Sequence, residues 1–470
     1  MHYALSRAGK MSRTSFDSCP FFFESACETG DKLLSSLALW YLARLLLMSA
    51  KPEEALPPAP VEPELRRRVP RASAREIHLI ADRASQILTE SLAEALEPSH
   101  TKTLRKWNRK EVAEMLGISV KTLDRGIDDG KLPAGEQIGR GPRLFTLEQI
   151  NEIRDTLGLR PWRDPKTDPA KVISVANFKG GVAKTSVSVH LAQYAARMGL
   201  RVLLVDLDAQ GSATTTFGLR PDADVESSQT LTPWLSGKDF ADPEDWTGTL
   251  ATAVQKTYWP GLDLIAANLQ LYGAEFAIAA RRMRDPQFLF YRVLADGLDT
   301  IKDNYDLIVL DTPPSLSFLT SNALFASDGI VMPVPPATMD FASSVSFFQL
   351  LAELMDTMDS IEGEPKYFDF LTILVSKYEA KNEQHVQVQD YLRQAFGRRV
   401  LQHPMGQSAV VRFGLDMKTT YEIEKYEGDK RTLNRALEFM DGVNGEIMQL
   451  IFDHWPSKRA AAEAARRGSA

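Results

Sequence analysis

The sequence predicts an α/β protein whose core is a doubly wound, mostly parallel sheet, preceded by an α-helical winged helix-turn-helix domain. Three observations carry this. Apolar runs of strand length, Val172 to Ala176, Val202 to Val205, Asp263 to Ala266, Tyr305 to Leu310, Gly329 to Val334 and Phe370 to Val375, alternate with helical patterns such as Val187 to Arg197, Ala342 to Asp356 and Leu433 to Ile451. Alternation of this kind marks stacked βαβ units, and strands that are apolar throughout belong inside a parallel sheet. A glycine-rich turn follows the first run and two later runs end in aspartate, which places polar groups at one edge of that sheet.

The first run leads into Lys179-Gly180-Gly181-Val182-Ala183-Lys184-Thr185-Ser186. Glycines let backbone amides curl toward an anion, and a helix opening at Lys184 presents more of them. Lys184 adds a charge and Thr185 a hydroxyl suited to magnesium. The segment reads as a cradle for nucleotide phosphates, although an ordinary phosphate loop has Gly where Ala183 stands and lacks the early Lys179. After the helix, Gly199 ends the turn of chain and the second run finishes in Asp206-Leu207-Asp208, while a later one finishes in Asp311-Thr312-Pro313. Carboxylates at strand ends lie at the edge where open α/β sheets bind ligands. Each aspartate taken alone is equally a helix cap or turn residue. In this order around one cradle, they read as groups that face magnesium and water.

The string from Lys179 to Thr185 resembles the deviant Walker A loop of the ParA/MinD family of P-loop ATPases, and Asp311 resembles a Walker B aspartate. The resemblance implies a P-loop ATPase core that binds ATP and Mg2+ through residues 179–186 and hydrolyses ATP slowly. It implies that Lys179 crosses a nucleotide-sandwich homodimer to the partner's phosphates and that Lys184 holds the phosphates. Asp208 would orient the attacking water, Thr185 and Asp311 would hold the metal, and Asp206 would support its water shell. Phosphoryl transfer demands placement and charge neutralisation more than covalent chemistry, so this set suffices.

Composition narrows the setting. The chain has 470 residues, 44% hydrophobic, and a formal net charge of −7, enough for several domains and wrong for a uniformly basic nucleic-acid coat. Charge is uneven, however: residues 101–145 hold 10 Lys/Arg against 6 Asp/Glu. The two cysteines, Cys19 and Cys27, precede every recognisable domain, which fits a reducing cytoplasm and excludes the cluster-bearing nitrogenase iron proteins of similar fold.

Residues 1–70 read as a disordered extension with a Pro-rich linker over 51–70. The apolar stretch Leu33 to Met48 is short for a bilayer, and translation starting at or near Met48 accounts for it. Residues 71–100 form an amphipathic helix with Ile77, Ile80, Ala84, Ile87, Leu88, Leu92 and Ala95 on one face. The face suits packing on the next domain or, by resemblance, dimerisation.

Residues 101–160 read as the winged module. Asn108 and Glu111 form a capping box, Gly117 supplies a left-handed turn, and Ser119 opens a second helix. Ile118, Val120 and Leu123 are expected to pack inward, while Lys121, Thr122 and Arg125 face a DNA major groove. Gln137 to Phe145 is the wing, with Arg140 and Arg143 set for phosphates, and Thr146 to Leu157 is a capped helix. A plain helical hairpin is the alternative. The core then spans 171–452, followed by a basic tail over 453–470 whose alanines lack the large apolar face of a membrane-binding helix.

Over residues 72–452 the domain order resembles the long type of ParA plasmid-partition ATPase, including the RepA proteins of replication and partition operons. This implies a cytoplasmic, nucleoid-associated switch: ATP closes a dimer, the dimer coats DNA without sequence preference, and a ParB-type centromere-binding partner stimulates hydrolysis. The winged module implies operator binding for autorepression. Arg398, Arg399 and Arg412 are candidates for nonspecific DNA contact. Competing readings are an ATP-sensing repressor with negligible turnover, a MinD-like spatial regulator and a bacterial tyrosine kinase. The tail, without an apolar face or a tyrosine cluster, argues against the last two.

Overall fold

The structure is a computed structural model that describes residues 73–95, 102–137, 139, 141–159, 163–363, 365–407, 418–423 and 430–460. The expectations for the 1–70 extension, the Met48 start, Arg140 and Arg412 lie outside the described residues. Two units are distinguished, residues 1–88 and 89–470. Helix α1 (Ala74–Ala95) runs for 22 residues, with Ile77, Leu79, Ile80 and Ile87 exposed.

A small module follows. Its elements are β1 (Trp107–Asn108), α2 (Arg109–Leu116), α3 (Val120–Asp128), β2 (Glu136–Gln137), β3 (Arg143–Phe145) and α4 (Leu147–Thr156), with the strands in the antiparallel order β1-β3-β2. Local chemistry sets its boundaries. The Asn108 carboxamide caps α2, Glu111 returns the bond to the Asn108 amide, and Gly117 ends the helix at φ 65°. Ser119 caps α3, and Thr146 with Gln149 closes a second capping box on α4. These caps satisfy amides that a helix start leaves bare. Leu123, Ile127, Phe145 and Ile150 fill the interior, whereas Val120, expected inside, is exposed because it occupies the first turn of α3 beside the outward Lys121.

The larger sheet has seven strands in the order β10-β9-β4-β8-β5-β7-β6. They are β4 (Lys171–Val175), β5 (Val202–Asp206), β6 (Gln255–Lys256), β7 (Leu262–Ile265), β8 (Leu307–Asp311), β9 (Gly329–Val334) and β10 (Phe370–Val375). All neighbours are parallel except β6, which lies antiparallel on the β7 edge. Side chains alternate across it: Ile173, Val175, Leu204 and Val309 face one layer, Val172, Leu203, Val205 and Ile308 the other. The first layer is covered by α5 (Lys184–Arg197) and α9 (Lys430–Asp453), and the second includes α6 (Leu271–Arg284). Around β9 and β10 a third cluster packs α7 (Thr338–Glu362) and α8 (Glu383–Phe396). Beyond α9 the chain, read from sequence as tail, stays ordered to Ala460: Trp455 is fully buried and donates its indole N–H to the Pro169 carbonyl at 3.1 Å.

Two polar anchors join the small module to α5. Arg154 of α4, 2% exposed, donates to the Arg197 carbonyl at 2.5 Å, placing a cation on the negative end of the helix. Lys102 enters the core to pair with Glu422 at 3.4 Å. Glu422 in turn accepts from Gln193 of α5 and from the Trp259 indole, each at 3.0 Å, and from the Tyr258 hydroxyl. A buried charge so thoroughly bonded costs little to keep and much to strip of one partner.

Candidate active site

Strand β4 stands mid-sheet, and the glycine-rich turn leaves its carboxyl end between β9 on one flank and β8 on the other. The turn is built on Asn177, a buried residue whose carboxamide oxygen accepts from the Lys179 amide at 3.0 Å and whose nitrogen donates to the Pro333 carbonyl at 2.8 Å. Gly181 takes φ 71° with nothing within 4 Å of where a Cβ would lie, so the backbone angle, not crowding, calls for glycine there. Ala183 takes φ 79° and ψ 28° as the residue capping α5, without a side-chain cap. A left-handed alanine is strained by about 1 kcal/mol. Ala183→Gly is therefore expected to raise the melting temperature of the nucleotide-free protein by roughly 2 °C in a thermal melt; a lower melting temperature would contradict the strain.

Lys184 opens α5 and is 7% exposed, with its ammonium donating to the Lys179 carbonyl at 3.1 Å across the loop. Burial pulls its pKa down, and the charges of Asp311 and Asp208 push it back up. The ammonium is thus held inside the curl of the loop with fewer anionic partners than a buried cation needs. Thr185 stands beside Asp311, whose Oδ1 accepts from the Ser188 hydroxyl at 2.9 Å.

The acids form a second cluster on the β8 and β5 flank. Asp206 and Asp311 end neighbouring strands and lie in register. Both are fully buried, and burial drives both carboxyls up from their ordinary range, with Asp311's charge adding to the push on Asp206. Asp311 Oδ2 is buried without a hydrogen-bond partner. An orphaned carboxylate oxygen in an acid-rich pocket beside a threonine hydroxyl fits a magnesium ion that keeps several of its waters. No group of three or more His, Cys, Asp or Glu side chains among the described residues makes an all-protein metal cage.

Asp206, expected to support a metal's water shell, is tied to two neighbouring segments. Its Oδ2 accepts from the Thr214 amide at 2.9 Å and hydroxyl at 2.8 Å, and its Oδ1 accepts from the Asp208 amide at 3.1 Å. These bonds hold the loop that carries Asp208. Asp208 itself is half-buried and accepts the Gln210 amide at 3.0 Å, which fixes its carboxylate near the cradle mouth.

Lys179 points elsewhere than the cradle: its ammonium pairs with Asp340, in the first turn of α7, at 2.7 Å. Asp340, Asn177, Ser188 and Ser376 belong to the site and were not singled out in the sequence. Ser188 lies four residues after Lys184 on one helix face, and Asn177 two before Lys179 in an Asx turn, so local spacing could have found both. Asp340 and Ser376 arrive only through sheet order.

In the small module Lys121, Thr122 and Arg125 are exposed together on α3, and Arg143 on β3 is half-buried opposite Gln137. Arg398 and Arg399 are exposed on a turn after α8, far along the chain from the cradle. No helix among the described residues is long and apolar enough to cross a membrane.

A protein-family model described as an AAA domain matches residues 170–362. The chain is 30% identical over 374 residues to the putative replication protein A of Sinorhizobium fredii, covering 77% of this chain and 89% of that one. It is 34% identical over 372 residues to protein SopA of Escherichia coli K12, covering 76% and 92%. Against the sporulation initiation inhibitor protein Soj of Bacillus subtilis it is 35% identical over 233 residues, 49% of this chain and 81% of that one. Among solved structures, one titled Partition Protein superposes with a TM-score of 0.57 at 22% identity, over 80% of this chain and 98% of that one, a likeness of fold.

Proposed function

Because the chain belongs to the ParA family of plasmid partition ATPases, we propose that it is an ATP-driven DNA-partitioning switch that dimerises on ATP, binds DNA without sequence preference and is returned to its starting state when a ParB-type partner stimulates hydrolysis. The observation that carries this reading is the pairing of a buried, under-partnered Lys184 inside the loop with the orphaned Asp311 oxygen beside Thr185. One side lacks an anion and the other a cation. MgATP supplies both charges at once.

In this reading Lys184 exchanges the Lys179 carbonyl for phosphate oxygens, and the amides of residues 180–185 surround the phosphate chain. Bound magnesium neutralises charge that builds on the phosphates. Thr185 and Asp311 hold its place, Ser188 keeps the Asp311 carboxylate oriented, and Asp206 fixes the Asp208 loop. Asp208 orients the water whose oxygen bonds to the terminal phosphorus as the bond to the bridging oxygen breaks. Lys179 leaves Asp340 to meet the phosphates of a second copy. Lys179 is the more exposed member of that pair, 41% against 11%, so its ammonium is the one able to turn outward.

The α2–turn–α3 pair with its β2–β3 hairpin supports a winged helix-turn-helix that reads an operator, with α3 in the major groove. Replacing Lys121 and Arg125 together by Ala is expected to weaken operator binding at least about tenfold while sparing ATP turnover; footprinting and phosphate release on one sample separate the two. The reading as a whole is tested by sedimentation with unrelated DNA. A partition switch, cytoplasmic and nucleoid-bound, needs ATP for that binding, whereas DNA binding indifferent to nucleotide would favour an ATP-sensing repressor.

A further inference from the structure

Sixteen described residues hold a left-handed backbone, and fourteen of them are glycine. The exceptions are Ala183, in the phosphate loop, and Lys377 at φ 54°. These two strained positions are neighbours in space. Lys377 follows Ser376, a buried residue just past β10 that donates its hydroxyl to the Val182 carbonyl of the loop at 2.9 Å.

The conformation of Lys377 is imposed from both sides. The Ser376 amide donates to Val334 at 3.0 Å, and the Tyr378 amide donates to Met405 at 2.9 Å. Glycine serves at every other left-handed position among the described residues except Ala183, so lysine here carries a backbone cost. Such costs collect where a side chain meets a ligand. The side chain is exposed, and its ammonium has no ion-pair partner among the described residues.

Sheet order says which part of a ligand it faces. Thr185, Asp311 and Asp208 lie on the β8 and β5 flank of the loop, so the terminal phosphate and its metal belong there. A nucleotide whose phosphate chain runs back over the loop amides emerges on the opposite flank, where the chain leaves β10 through Ser376 and Lys377. We propose that Lys377 is a further nucleotide-binding residue, contacting the α-phosphate and ribose end of the bound nucleotide. The proposal rests on the nucleotide reading given above and adds a residue to it.

Titration calorimetry with MgADP and with a magnesium complex of a nonhydrolysable ATP analogue tests it. Lys377→Met is expected to weaken both ligands by the same factor, roughly tenfold for one charge-assisted contact, because both carry the α-phosphate. Lys377→Arg should stay within about threefold of wild type, since it keeps the charge. Lys377→Gly should lose affinity as Met does while raising the melting temperature of the nucleotide-free protein, which separates the contact from the strain. Unchanged MgADP affinity in Lys377→Met overturns the assignment, as does a loss confined to the ATP analogue, or a loss of DNA sedimentation with nucleotide affinity intact. Wild-type protein that takes up no MgADP removes the nucleotide reading itself.

Discussion

Lys184→Ala is expected to lower ATP turnover by about a hundredfold or more, with nucleotide binding lost as well. The side chain is almost wholly buried at the start of α5, and its ammonium meets only the Lys179 carbonyl and the more distant charges of Asp311 and Asp208. Lys179 pairs with Asp340 outside the curl of the loop, and in the proposed assembly it turns to the second copy's phosphates, so it does not replace Lys184. Because burial already disfavours the charged form, truncation should cost the nucleotide-free fold little, so a melt comparable to wild type accompanies the lost activity. Unchanged phosphate release would remove Lys184 from the site.

Asp208→Ala is expected to leave ATP bound and two copies joined while hydrolysis falls by about a hundredfold. In the proposed reading the loop amides and Lys184 hold the phosphates, Thr185 and Asp311 would hold magnesium, and none of these depends on the Asp208 carboxylate. Asp208 also accepts the Gln210 amide, so Ala removes a turn bond along with the charge. Asp208→Asn keeps an acceptor for that amide and separates the two effects. Sedimentation velocity with ATP should show a persistent dimer for both variants. A monomer in the presence of ATP would assign Asp208 to assembly rather than to water.

Much of this site is legible in the sequence because its parts are local. Val202 to Val205 is apolar on both faces and Val172 to Val175 is so but for Ser174, so burial in a parallel sheet follows, and strand-end aspartates fall at the ligand edge. The capping boxes at Asn108 and Thr146 are read from four residues each. What escaped the sequence depends on placement across the fold. Asp340 and Ser376 reach the loop from more than 150 residues away because β9 and β10 stack beyond β4. The edge strand β6 is two residues long and has no period to detect. The bonds from the Thr214 amide and hydroxyl to Asp206 are equally illegible, because strand-end position says nothing of a residue eight places on. Val120 departs from its inward expectation because a first-turn residue can lie beyond the core that its helix covers.

The two anchors on α5, Arg154 at its end and Lys102 through Glu422 along its side, deny the small module a swivel. In the proposed two-fold assembly, the two copies of α3, if mounted this stiffly in operator DNA, would keep one distance and one helical phase between them. Operators should therefore tolerate base changes better than the insertion of half a helical turn between half-sites, which would carry the second half-site to the far side of the duplex.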